Sequence, residues 1–310
     1  MKNKRPKIQI LLSTFNGEKY LRQQLDSYLR QEGDFELRVL IRDDGSLDGT
    51  REILEDYERK AGFEVFCGEN VGVNQSMKRL FENSDLSCDY FALSDQDDVW
   101  REDKLRRALE SLEDRNSAKP QLYASLSRLT DERMNFIGMT GYPKKGASYY
   151  NALTQNICQG HTEVFNRSLL SELRLHYPDE VHAVDWWIYL LASALGEVCY
   201  DEEDTVYHRQ HGVNSVGYET GLFKKNIRRL GYLREKKSRS ISRQLQAFYE
   251  AYRARLPDPY CKETESYLDF EKSLLQRILW LFKTPLYRQK SWETLVFKGL
   301  YLFGCYDLEQ

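Results

Sequence analysis

Three carboxylates stand within four positions in the stretch LSDQDDVW, residues 93–100. Asp95, Asp97 and Asp98 follow the apolar run DYFALS, so they fall where a strand would end and its loop begin. Charges of one sign this close repel and raise each other's proton affinity. A solvated acidic turn is the ordinary reading of such a run. The alternative is a cation site: in extended chain Asp95 and Asp97 project to the same side, which suits one hard divalent ion held by oxygen. A third acid, Asp185 in HAVDWWIY, opens a strongly apolar helix with Trp186, Trp187, Ile188, Leu190 and Leu191. Burial beside two tryptophans raises a carboxylate's pKa and makes it a better proton acceptor. Asp is also a preferred N-cap residue, and the two readings are compatible.

The elements that position these acids alternate. KIQILLSTF reads as a buried strand and is followed by a helical pattern with Leu21, Leu25, Tyr28 and Leu29 on one face. ELRVLIRDD is a second strand, DGTREILEDYERKAG a helix through Ile53, Leu54 and Tyr57, and FEVFC a third strand. VNQSMKRLFENS, DYFALSD and REDKLRRALESLED complete the series as helix, strand and helix. Such alternation predicts an α/β fold, a mostly parallel sheet with helices on both faces, and ligands lie beyond the carboxyl ends of its strands. The polar segments STFNG, RDDGS and SDQDD fall at those ends and should converge on one edge.

Neither G-x-G-x-x-G after the first strand nor G-x-x-x-x-G-K-[ST] anywhere is present, which weakens dehydrogenase and kinase readings. Without a glycine cradle, a diphosphate needs another counter-charge, and a carboxylate-held cation supplies it. A metal-bridged nucleoside diphosphate follows.

The series STFNGEKYLRQQLDSYLRQ, IRDDGSLDGT, ENVGVNQS, LSDQDDVWREDKL, CQGHTEVFNRSL, VDWWIYLLASALGEV and YHRQHGVNSVG, in this order over the first ~215 residues, resembles the family-2 inverting glycosyltransferases of the GT-A (Rossmann-like) fold, in particular bacterial rhamnosyltransferases of cell-wall polysaccharide synthesis. The resemblance implies that Thr14, Phe15, Asn16 and Asp44 line the nucleoside pocket, with Asp44 accepting from the N3–H of a pyrimidine. It places Asp95 and Asp97 on the diphosphate and a Mn2+ or Mg2+ ion, His211 in the metal shell, and Asp185 as general base. Arg209 is expected at phosphate, and His161 and Trp186 at the diphosphate or acceptor; His208 receives no role. The implied donor is dTDP-β-L-rhamnose, with a UDP-hexose or UDP-HexNAc as the alternative because one Asp and main chain read thymine and uracil alike. The implied acceptor is a saccharide on undecaprenyl diphosphate at the inner face of the cell membrane.

The rest of the chain differs. Residues 221–255 carry eleven Lys/Arg against Glu235 and Glu250, a local charge of +9 within a chain of −3. The expected division is a catalytic domain over 1–218 and a helical C-terminal region over 219–310, whose basic and apolar residues suit membrane-surface contact, a cap on the catalytic domain, or a homodimer interface. Nucleic acid would also suit +9, but no nucleic-acid module is visible. Six cysteines without a C-x-x-C pair argue against structural zinc and for a reducing cytoplasm. The N-terminal apolar stretch is too short for a signal peptide, and nothing approaches the ~18 apolar residues of a membrane span. Two other classes fit the sheet. A nucleotidyltransferase needs a Gly-rich basic loop that STFNGEKY is not, and a non-catalytic carbohydrate-binding scaffold would lack the cation site or the base, whose acids are all present here.

Overall fold

A computed structural model of the chain describes residues 5–113, 115–211 and 237–308. Strands β1 (Lys7–Thr14), β2 (Glu36–Asp43), β3 (Glu64–Cys67) and β4 (Tyr90–Ser94) alternate with helices α1 (Leu21–Leu29), α2 (Thr50–Ala61) and α3 (Val73–Asn83). The four strands pair in parallel in the order β3, β2, β1, β4. β1 is apolar nearly throughout because both its faces are covered. Ile8, Ile10 and Leu12 join Leu21, Leu25, Ile53 and Leu54 in one cluster, while Leu11 joins Met77, Leu80 and Phe81 in the other. Helix α4 (Lys104–Leu112) follows the two-residue strand β5 (Val99–Trp100) and adds Leu105, Ala108, Leu109 and Leu112 to the first cluster.

Beyond β4 the sheet changes direction. β8 (Val164–Asn166) runs antiparallel to β4 and to β6 (Gln121–Thr130), β9 (Glu197–Arg209) runs parallel to β6, and β5 closes the edge antiparallel to β9. β7 (Phe136–Met139) forms a hairpin on β6. The parallel order expected from the alternation is thus the N-terminal half of a nine-stranded mixed sheet. The antiparallel return at β8 brings residues 159–163 beside the acidic loop, where Leu93 N donates to Glu163 O at 3.1 Å.

Helices α5 (Tyr149–Ala152), α6 (Arg167–His176) and α7 (Val184–Leu195) cover the second face. α7 is apolar on nearly every side because β6 and β9 lie beneath it and the C-terminal helices above. These are α8 (Lys237–Tyr252), α9 (Asp258–Leu268), α10 (Leu274–Lys283) and α11 (Ser291–Leu302). Ile241, Leu245, Phe248, Tyr252, Tyr267, Phe297 and Tyr301 are buried in the same cluster as Trp187 and Leu191, so this region shares its core with the sheet. The expected boundary at 218/219 and the basic residues from Lys224 to Lys236 lie outside the described residues. All six cysteines are free thiols.

Candidate active site

The carboxyl ends of β1, β2 and β4 meet as expected, and hydrogen bonds between their loops fix the arrangement. Asn16 N donates to Ser46 Oγ at 2.8 Å, Leu47 N to Asn16 Oδ1 at 2.9 Å, and Gly17 N to Thr50 Oγ1 at 2.8 Å. Asn16 takes a left-handed backbone, φ +49°, which Asn tolerates better than most residues. Gln96, between the two acids, completes the junction. Its Oε1 accepts from Thr14 Oγ1 at 2.6 Å and Phe15 N at 2.9 Å, and its Nε2 donates to Phe15 O at 3.1 Å. Gly17 is required there: a Cβ would stand 2.6 Å from Gln96 Oε1 and 2.9 Å from Thr14 Oγ1.

Thr14 is buried, and Phe15 and Asn16 are exposed at the cleft. Asp44 is deep: its carboxylate accepts from Val71 N at 3.0 Å, from Gly72 N at 2.9 Å and from Arg42. A carboxylate has about four acceptor positions, so one is left for a ligand N–H. Arg42 in turn reaches Ser76 Oγ and Glu69 O, tying β2 to α3 and its preceding loop.

The three acids at 95–98 divide into two jobs. Asp95 and Asp97 belong to the cleft; Asp98 points inward and is fully buried. Asp98 accepts from His208 Nδ1 at 2.9 Å and from Arg209 N at 3.1 Å, which anchors the end of β9. Burial disfavours a charged His208, but the Asp98 carboxylate outweighs it, and the imidazole's pKa rises to about 9. His208 therefore has a structural role that the sequence did not suggest.

Burial, reinforced by the charges of Asp98 and Asp95, pushes Asp97 up to about 6, against the pull of His211. His211 Nε2 lies 2.7 Å from Asp97 Oδ2, and its ring 5.2 Å from that of Tyr20. Among the described residues, ligand atoms of Asp95, Asp97 and Asp98 come within 4.8 Å of one another, as do those of Asp98, His161 and His208. A crowd of oxygen donors fits a hard divalent cation, and the imidazole of His211 at its edge is compatible with Mn2+ as well as Mg2+.

Arg209 and His161, both expected at the ligand, make internal contacts in the fold. Arg209 is buried, with Nε on Asp97 O at 2.9 Å, Nη1 on Glu132 O at 2.7 Å and Nη2 on Gln23 Oε1, its guanidinium over the Tyr20 ring. Its bond to Asp97 O stiffens the backbone of the acidic loop. His161 is also buried, behind Asp95: its Nε2 is 2.8 Å from Ser127 Oγ, its Nδ1 is 3.6 Å from Asp95 Oδ2, and its ring stacks on His208 at 4.2 Å. Burial and the neighbouring His208 charge push its pKa down to about 3, so it is neutral. It backs the acidic loop.

Asp185 occupies the first turn of α7, one position past Val184, and Ala183 is the N-cap. Its Oδ1 accepts from Trp186 N at 2.8 Å and its Oδ2 from Gly160 N at 3.3 Å, with the Asn156 side chain also bonded to it. Burial raises its pKa to about 6 despite these donors, and the Asp95 charge adds to the rise. Trp186 is buried, its Nε1 donating to Ala152 O at 2.6 Å, so it walls Asp185 on the α5 side. The sequence also gave no hint of Lys104, buried at 3.4 Å over the Trp100 ring with Nζ on His161 O, nor of Glu163, whose buried carboxyl is driven well above its usual range. A charged type inside an apolar pattern was the only available signal.

The comparison with known families decides the class. The profile of Glycosyl transferase family 2 matches residues 9–174, more than half of the chain. The chain belongs to glycosyl transferase family 2. Among its relatives is the dTDP-rhamnosyl transferase RfbG of Shigella flexneri, 28% identical over 239 residues that cover 73% of this chain and 80% of that one. S. aureus TarS, solved with UDP-GlcNAc, superposes with a TM-score of 0.57 at 16% identity, covering 96% of this chain and 92% of that one. The mannosyltransferase PcManGT of Pyrobaculum calidifontis, in complex with GDP-Man and Mn2+, gives 0.52 at 16% identity, covering 98% and 86%. The chain is a glycosyltransferase with the GT-A fold and an Asp-rich candidate metal site.

Proposed function

We propose that this glycosyltransferase moves L-rhamnose from dTDP-β-L-rhamnose to a saccharide carried on undecaprenyl diphosphate, with inversion to an α-L-rhamnoside, in the synthesis of a surface polysaccharide. The observation that carries the mechanism is the environment of Asp185: a carboxylate at the mouth of an apolar helix, held by Gly160 N and Trp186 N, with its pKa raised to about 6. In this reading Thr14, Phe15, Asn16 and Asp44 hold the nucleoside, and the free acceptor position of Asp44 takes the N3–H of the pyrimidine. Asp95 and Asp97, with His211, hold Mn2+ or Mg2+. A bound cation would neutralise the charge that develops on the departing diphosphate. Asp185 takes the proton of the acceptor hydroxyl as its oxygen bonds to the anomeric carbon and the bond from that carbon to the diphosphate oxygen breaks on the opposite face. The similarity to RfbG supports the donor, and a UDP-hexose or UDP-HexNAc is the competing donor.

Isothermal titration with dTDP-rhamnose and UDP-sugars, each with and without Mn2+, tests the reading. Tighter, metal-dependent binding of dTDP-rhamnose supports it; preference for a UDP-sugar reassigns the donor, and binding of no nucleotide removes the transferase mechanism in favour of a scaffold.

A further inference from the structure

We propose that α10 and α11 form a docking face for an anionic lipid bilayer. Their inner sides are fixed to the protein: Leu281, Phe297 and Tyr301 are buried, and Arg277 is bonded to Asp307 and to the carbonyls of Phe270 and Tyr301. Among the described residues no element covers their outer sides. Leu275, Leu279 and Phe282 on α10, Leu295 and Val296 on α11, and Phe303 just beyond it are all exposed, Phe282 by 85% and Phe303 by 83%. An apolar row repeated on two adjacent helices, with aromatic rings at its ends, is what an interfacial helix presents to the headgroup boundary. Neither helix is long and apolar enough to cross a membrane, so the contact is with the surface.

Charge selects the lipid over a second copy of the chain. With Arg277 cancelled by Asp307, residues 274–308 keep Lys283, Arg288, Lys290 and Lys298 against Glu293, a net +3 in a chain of −3. Lys283 and Lys290 are exposed at the turn between the helices, and Lys144 and Lys145 are exposed on the loop beside it. Two like-charged faces brought together would repel, whereas an anionic headgroup layer attracts them.

The turn is also fastened to the acceptor side of the active site. Lys145 bonds to Gln289 Oε1 and Arg288 O; Asn151 and Thr154 bond to Tyr287 O; Gln289 N bonds to Gln155 Oε1. That same segment runs on through Asn156 to Gly160, which holds Asp185. Docking would thus fix the orientation of the base toward an acceptor whose lipid lies in the same membrane, a consequence that rests on the proposed acceptor although the docking itself does not.

The test is sedimentation of the purified full chain with phosphatidylcholine vesicles, with and without phosphatidylglycerol, in the absence of nucleotide. Binding should require phosphatidylglycerol and weaken with salt. The triple variant Phe282→Ser, Leu295→Ser, Phe303→Ser should lose about tenfold or more in vesicle affinity, with its thermal midpoint and dTDP binding unchanged. Lys283→Glu with Lys290→Glu should lose the preference for phosphatidylglycerol. Vesicle binding that is absent, or indifferent to the triple variant, overturns the proposal; so does a dimer, seen by sedimentation velocity, that the triple variant dissolves. Because no donor or acceptor is present, an error in the proposed reaction leaves this result standing.

Discussion

Asp185 is asked to be charged in order to accept a proton, yet its surroundings favour the neutral form. With its pKa raised to about 6, the rate of transfer at low substrate should climb with pH and level off above about 6. A pH profile of kcat/KM that is flat between about pH 5 and 8 would remove Asp185 as the titrating base. Asp185→Asn should lower transfer by about 1,000-fold or more while dTDP binding survives. The same raised pKa has a stability consequence. Folding favours the protonated acid, so this contribution is whole below the unfolded pKa and lost as pH rises through about 6. Asp185→Asn should therefore be more stable than the parent at neutral pH, by about 1–3 kcal/mol in urea unfolding, and no more stable near pH 4. Gln96 invites a second test. Gln96→Ala removes the bridge from the metal loop to Thr14 and Phe15, and should weaken dTDP binding about 5-fold to 30-fold with the fold intact by circular dichroism. At this scale the types and spacing of Asp95, Asp97 and Asp185 marked them as candidates, and His211 was named only through the family resemblance. The sequence hid the roles of Asp98, Arg209 and His161, because each finds its partner at least 30 positions away and only the fold brings them together.

Among the elements, β9 shows why half the sheet was not legible. Its middle, DEED at 201–204, reads as a charged loop. In the fold it is the place where the pairing of β6 with β9 slips register, and Asp201 bonds to Arg107 and Tyr123 while Asp204 bonds to Arg128. Paired charges let an acidic run continue as strand, and no periodicity announces that. β1 and β4 were legible because burial on both faces demands a nearly unbroken apolar run. The far end of β9 depends on the Asp98–His208 pair, and here the prediction concerns the element. Asp98→Ala leaves an imidazolium and the Arg209 amide buried without their acceptor, and should cost about 3–5 kcal/mol in urea unfolding. His208 has a pKa raised to about 9, so the pair's contribution is whole below its unfolded value near 6.5 and is lost as pH climbs through about 9. The parent should lose stability between about pH 7 and 10, and Asp98→Ala should lose less over the same range. Equal losses in the two proteins would show that some other group carries the pH dependence.

For the whole molecule the question is what the C-terminal helices do for a site they do not line. Sequence composition left cap, membrane contact and dimer interface open, because a helix with apolar residues on two sides does not say which side is inward. The fold assigns the inner side. Phe248 on α8 is buried edge-on against Trp187 at 5.4 Å and beside Tyr252 at 4.8 Å and Tyr149 at 6.2 Å. Trp187 follows Asp185 by two residues on α7, and Tyr149 begins the helix whose Ala152 carbonyl holds Trp186. Packing at Phe248 therefore reaches Asp185, the proposed base, through one layer of side chains. Phe248→Ala should cost about 3–5 kcal/mol of stability. At a temperature where the variant is still folded, it should also lower kcat more than dTDP affinity, because the loops proposed to hold the nucleoside follow β1 and β2, whereas Phe248 packs against α7. Phe282→Ser on α10, similar in residue type but exposed, should leave both stability and dTDP affinity unchanged. If Phe248→Ala weakened dTDP binding as much as it weakened turnover, the C-terminal helices would be supporting the sheet as a whole and not the half that carries Asp185.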